Sequence, residues 1–282
     1  MSGASLGPWG EARAARQNAP RTSGVDLTGA PLPDAAAPRG QTLGWAVVST
    51  ILLAGYLWWA MGSWIYPVAG VIGILVHEYG HVLAFNALGM GPGRIFIVPF
   101  LGGAAAPRIP ADTEWKGVLA SLAGPVFGML AAIPFYIAFV ATDDRIWLQG
   151  AWFIAAINLL NLLPAPPLDG SKALGPVLAR VHPMLEKAAL FLVGAAVVAW
   201  GISQGSFLFP ALIALAVFSQ LRRGAWRPHA RALSWSGAGA SLALYLGAAL
   251  ICFSALAYFT ILLPPDTAVR ALEDAATVRP PT

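Results

Sequence analysis

Charge is what this sequence most lacks. Asp, Glu, Lys and Arg make up 11% of its 282 residues while 57% are apolar, against about 25% charged in soluble domains, which excludes a water-soluble globule. Cysteine is nearly absent too: Cys252 stands alone inside an apolar run, so there is neither a disulfide framework nor a cysteine-based metal site. The short alternating segments of a β-barrel are missing, and so is any internal repeat of the kind that builds many transporters. The net charge of +4 does not point to nucleic acid, because the basic residues fall in short loops between apolar runs, where they set orientation instead.

What the chain does have is long apolar runs, and a helical span needs about 20 such residues. The expected fold class is therefore all-α and polytopic, with about seven transmembrane helices. Residues 1–40, rich in Ala, Gly, Pro and Arg, read as a disordered tail and not as a signal peptide, since the first long run begins only at Leu43 without a cleavage site of the expected form. Residues 41–64 hold the first span, with Trp45, Trp58, Trp59 and Trp64 suited to an interfacial belt. A second span covers about Ile65 to Gly89. Met90 to Trp115 is punctuated by Gly and Pro around the short run Ile95 to Val98, which predicts a β-hairpin or re-entrant loop, with an ordinary connecting loop as the alternative.

The third span, Val118 to Val140, carries Gly117, Ala120, Ser121, Gly124 and Gly128 near its start, small residues spaced for close helix packing. The fourth, Trp147 to Leu163, is broken by prolines in NLLPAPPLDG, Asn161 to Gly170. Runs at Met184 to Ser203, Phe207 to Leu221 and Ala238 to Leu263 follow. They divide the sequence into a core at 65–175, a three-helix membrane region at 176–263 and a polar tail at 264–282. With the amino terminus in the cytoplasm, seven spans put fourteen of the Lys and Arg residues inside and three outside, as the positive-inside rule requires.

One carboxylate breaks the pattern. Between Arg39 and Arg94 the sole Asp, Glu, Lys or Arg is Glu78, in VIGILVHEYGHVLAFNAL. An ionisable group at bilayer depth costs on the order of 3 kcal/mol, so it marks function by default. His77 and His81, four residues apart on a helix, project toward one point. Glu78 lies about 100° round from His77, within reach of a water on the same ion, as in HExxH metallopeptidases. Two histidines and a carboxylate with a fourth position open make a catalytic zinc site, and Asp169 fits the vacancy.

HEYGH on one helix and NLLPAPPLDG on a later one closely resemble the signatures of the site-2 protease family of intramembrane zinc metalloproteases. The resemblance extends to PFLGGAAAP, similar to that family's Gly-Gly loop, and LAGPVFG, similar to its Ala-Gly-Pro segment; it covers about residues 65 to 175. It implies His77, His81 and Asp169 as ligands of one Zn2+ per chain, Glu78 as general base, and Asn161 as a polar group near the scissile peptide. The sequence departs from the pattern at Gly128, where Asn is common, and at Ser171 and Lys172, where Gly-Arg often follows. No stretch is long enough for the PDZ domain of some members.

The expected function is endopeptidase cleavage of transmembrane segments within the bilayer. The partners are then a membrane-spanning protein substrate and lipid, with no nucleic acid. A transmembrane helix hides its carbonyls in its own hydrogen bonds, so the substrate must unwind. Ile95, Phe96, Ile97, Val98, Gly102 and Gly103 are the expected substrate-binding residues, with the strand Ile95 to Val98 receiving the unwound segment by edge pairing. A membrane metal-ion carrier, or an inactive scaffold that keeps zinc, would use the same donors and stays open as an alternative. The Ala-, Gly- and Arg-rich composition points to a bacterial inner membrane.

Overall fold

The structure is a computed structural model and describes residues 41–98, 102–203, 208–222 and 230–263. The two expected tails, 1–40 and 264–282, lie outside the described residues. In chain order the described elements are α1 (Leu43–Met61), α2 (Ile65–Ala87), β1 (Arg94–Val98), β2 (Gly102–Ala106), α3 (Glu114–Gly128), a 3-10 turn (Met129–Ala131), α4 (Ala132–Thr142), α5 (Arg145–Asn161), α6 (Asp169–Val181), α7 (Pro183–Ser203), α8 (Leu208–Arg222) and α9 (Trp235–Leu262).

Local chemistry accounts for the boundaries. The Thr42 side chain accepts from the Trp45 N–H to start α1, and Gly62, in the left-handed region at φ 69°, ends it, a conformation that glycine adopts without a Cβ penalty. Thr113 caps α3 and Ser234 caps α9 in the same way as Thr42. Pro134 lacks the N–H that would bond the carbonyl four residues earlier, and the helix tightens into the 3-10 turn just before it. Pro164 disfavours helix at the preceding residue, so α5 stops at Asn161.

Five helical segments are long and apolar enough to cross a bilayer: Leu43–Met61, Ile65–Ala87, Glu114–Thr142, Pro183–Ser203 and Trp235–Leu262. The protein is an integral membrane protein; among the described residues five such helices are found, and the expected count of seven spans is not confirmed. Each of the seven expected runs contains a described helix, and α5, with 17 residues, is roughly 25 Å long at 1.5 Å per residue, short of a hydrocarbon core of about 30 Å. The shortness of α5 has a structural use. It runs through the middle of the bundle with Leu148, Ala151, Ile154, Ala155 and Asn158 fully buried, packed on α2, α4 and α9. Its core cluster joins Ile65 and Ala69 of α2 to Phe135 of α4 and Phe259 of α9. Outward-facing Leu43, Ile51, Ile137, Leu192 and Ile261 are exposed, as side chains in lipid should be.

The last helix is part of this core and not a separate region. The Tyr245 hydroxyl donates to the Leu162 carbonyl at 2.7 Å, and the Trp152 indole N–H donates to Thr260 at 2.9 Å. Its start is tied to α3 as well: the Leu233 N–H donates to the Glu114 carboxylate at 2.9 Å, and the Glu114 N–H to the Arg231 carbonyl at 3.0 Å.

The hairpin expected after the second span is present. β1 and β2 pair antiparallel, with Ile97 opposite Gly103 and Ile95 opposite Ala105. The hairpin lies against α2, with β1 also touching α1.

Candidate metal centre

His77 and His81 sit one turn apart on α2, both buried. Their Nε2 atoms are 3.1 Å apart, and Asp169 Oδ2, from the first residue of α6, lies 3.0 Å from one and 3.1 Å from the other. Among the described residues these three form a group able to hold a metal ion. The remaining ring nitrogens decide what the Nε2 atoms present. His81 Nδ1 is 2.7 Å from the Ala120 carbonyl, which can only accept, so that nitrogen carries the proton. His77 Nδ1 is 2.9 Å from Asn158 Oδ1, while Asn158 Nδ2 donates to the Ile154 carbonyl at 2.8 Å. That second bond fixes which way the amide faces, so His77 Nδ1 is also the donor. In the neutral rings both Nε2 lone pairs then converge on a carboxylate oxygen. Three acceptors gathered without a proton among them are mutually repulsive and call for a cation. Tetrahedral zinc with bonds of 2.0 to 2.1 Å would hold its donors about 3.3 Å apart, a few tenths wider than here, so the donor set fits that ion.

The surrounding elements hold this geometry by close approach. A Cβ at Gly124 of α3 would collide with the His81 ring and lie 2.7 Å from His77 Nε2. Gly128, one turn further, leaves the space that the Asn158 amide fills. The expectation of small residues along α3 is met at these two positions, whereas Gly117 faces open space. Asp169 turns its other oxygen, Oδ1, toward Lys172 Nζ at 3.5 Å, which leaves Oδ2 for the histidines.

Glu78 is buried beside the cluster, and its Oε2 atom has no hydrogen-bond partner among the described residues. A buried carboxylate oxygen left unpaired is costly and requires an explanation. Across from it stands β2: a Cβ at Gly103 would lie 2.5 Å from Glu78 Cγ and 2.7 Å from Oε1. A cavity of about 680 Å³ opens on His77, Glu78, His81 and Asp169 and is lined further by Val98, Gly103, Ala104, Ala105, Asn161 and Lys172.

Not every expected site residue takes the same part. Asn161 lines the cavity but donates to the Ile157 carbonyl at 3.1 Å, one turn of its own helix back. Of the expected strand, Val98 reaches the cavity, while both backbone polar groups of Ile97 are bonded to the side chain of Gln41. Asn158 was missed from the sequence. Its signal was available: an amide three residues before Asn161, on the same side of an apolar helix, needs a partner as much as a charge does.

A helical membrane bundle here brings an HExxH pair and a distant aspartate to one point, a donor set that could hold a metal ion within the membrane region. Residues 68–144 match the model of peptidase family M50, a stretch that contains HEYGH and LAGPVFG but stops before Asp169. The chain is also 26% identical over 122 residues to zinc metalloprotease MJ0392 of Methanocaldococcus jannaschii; the alignment covers 41% of this chain and 34% of that protein. No solved structure matches it. The chain is thus similar, over residues 68–144, to peptidase family M50, the family of the site-2 proteases, and it spans about a third of the length of the curated relative it matches.

Proposed function

We propose that this protein is a zinc-dependent endopeptidase that cleaves transmembrane segments of other proteins inside the bilayer. The observation that carries this reading is the division of labour around one point: three converging acceptor atoms whose outer hydrogen bonds are already committed, beside a carboxylate oxygen with nothing bonded to it. Zinc supplies Lewis acidity when bound, acidifying water and polarising a carbonyl. Glu78 takes a proton from the attacking water through its unpaired oxygen and delivers it to the leaving amine nitrogen as the peptide C–N bond breaks. Hydrolysis of one peptide bond by one water then returns Glu78 to its starting state. Asn161, on the cavity wall, is placed to donate to a substrate carbonyl once its intrahelical bond opens.

Substrate reception falls to β2. Gly103, Ala104 and Ala105 line the cavity, and an unwound segment laid along that strand exchanges helical hydrogen bonds for ladder bonds. Counted over the seven expected runs, the positive-inside distribution supports a cytoplasmic amino terminus, and with it a site reached by water from the cytoplasmic face; an inner bacterial membrane agrees with the composition.

The test uses purified protein and a single-span substrate in detergent. Glu78→Gln should keep its zinc stoichiometry and lose cleavage. Cleavage by that variant would overturn the mechanism, and zinc flux into vesicles by unsubstituted protein that cleaves nothing would replace the peptidase with a carrier.

A further inference from the structure

The hairpin has two outer edges, and the structure treats them differently. On β1, the Ile97 N–H donates to Gln41 Oε1 at 2.7 Å and Gln41 Nε2 donates back to the Ile97 carbonyl at 2.8 Å. A primary amide that bonds both polar groups of one strand residue does what a residue of a neighbouring strand would do. The same Nε2 lies 3.3 Å from the hydroxyl of Ser49, a fully buried residue of α1. Gln41 immediately precedes the cap of α1, so this strand surrogate is anchored to the first helix.

The register extends the consequence to β2. Because the polar groups of Ile97 point away from β2, the Ile97–Gly103 pair is of the non-hydrogen-bonded kind, and the N–H and C=O of Gly103 must point away from β1 as well. Two residues on, Ala105 opposite Ile95 repeats that orientation. No further strand pairs with β2 among the described residues, and its open edge lies at the cavity wall beside Glu78.

We propose that Gln41 is a positioning residue that closes the far edge of the hairpin, so that an extended substrate can add only along β2, at Gly103 and Ala105, next to the catalytic carboxylate. This rests on the peptidase reading and goes beyond it. Unpaired strand edges accept any extended chain, and a segment added along β1 would lie one strand further from Glu78. Closing that edge with a side chain makes the hairpin one-sided without adding a third strand.

The experiment separates the clamp from the activity. In full-length protein, Gln41→Leu removes the amide at similar size, and hydrogen–deuterium exchange over residues 94–98 should speed up about tenfold while α2 and α5 stay protected. Unchanged exchange at Ile97 would overturn the proposal. In a Glu78→Gln background, where bound substrate persists, single photo-crosslinking residues at Ile95 and at Ala105 report which edge is occupied. Substrate should crosslink at position 105 alone when Gln41 is present, and at both positions in Gln41→Leu. Crosslinking at 95 with Gln41 intact, or a pattern unchanged by Gln41→Leu, would overturn the proposal. Gln41→Glu, which keeps the acceptor for Ile97 N–H and loses the donor, should fall between the two. Cleavage by the Glu78 protein is scored separately, so a failed peptidase reading shows as no cleavage while the exchange data still judge the clamp.

Discussion

The two walls of the cavity are built on opposite plans. On the ligand wall, each imidazole is held through Nδ1, by Asn158 or by the Ala120 carbonyl, with its Nε2 turned to the point it shares with Asp169. Gly124 presses against both rings. On the hairpin wall, two strands are secured at β1 by one glutamine and present bare glycine and alanine on β2. The difference teaches that the converging donor atoms are positioned by rigid helix packing, while the hairpin turns small residues toward the cavity.

That contrast can be broken from either side. Removing a ligand should cost most: Asp169→Ala leaves two imidazoles without their carboxylate, and both bound zinc, measured by atomic absorption, and peptidase activity should fall to background. Chelation of the unsubstituted protein should do the same, and added zinc should restore cleavage. Next comes the point where the two walls touch. Gly103→Ala forces a methyl against Glu78, so activity should drop roughly 10- to 100-fold, the scale of a misplacement of about 1 Å, with zinc content unchanged; loss of zinc in this variant would mean that the hairpin supports the ligand wall too.

Asn158→Leu sharpens the comparison from behind the metal. It removes the acceptor that fixes His77, and zinc affinity measured against a competing chelator should weaken about 10- to 100-fold. The smallest effect is expected at Lys172→Met. The Lys172 side chain is 60% exposed at 3.5 Å from Asp169, an ion pair of the kind worth little in solvent, so zinc affinity should change by no more than a few-fold.

Much of the site was legible in the one-dimensional pattern because it is local or chemically expensive. HEYGH sits within one turn, so helix geometry alone brings His77 and His81 together, and the isolation of Glu78 in apolar sequence marks it. Asp169 was singled out through the resemblance of NLLPAPPLDG to a family signature, and the hairpin was legible by its Gly-Pro punctuation. Asn158 escaped because an amide in a helix carries no charge to betray it, and its role exists only where α2 and α5 meet. The bonding of the hairpin's outer edge escaped for a related reason. Ile95 to Val98 has the composition of a strand, but the two bonds that Ile97 makes to the Gln41 side chain join segments more than fifty residues apart in sequence.

Composition and periodicity alone determined that this chain lives in a bilayer, that two histidines and a glutamate share one turn of an apolar helix, and that a hairpin interrupts the spans. These follow from burial cost and helical repeat, which are properties of neighbouring residues. Only the tertiary structure decided that α5 is a short buried strut, that Asn158 and the Ala120 carbonyl set the protons of the two imidazoles, and that β2 is the strand with an open edge beside Glu78. Those outcomes depend on which atoms from distant segments come within about 3 Å of one another, and hydrogen bonds and steric contacts act only at that range.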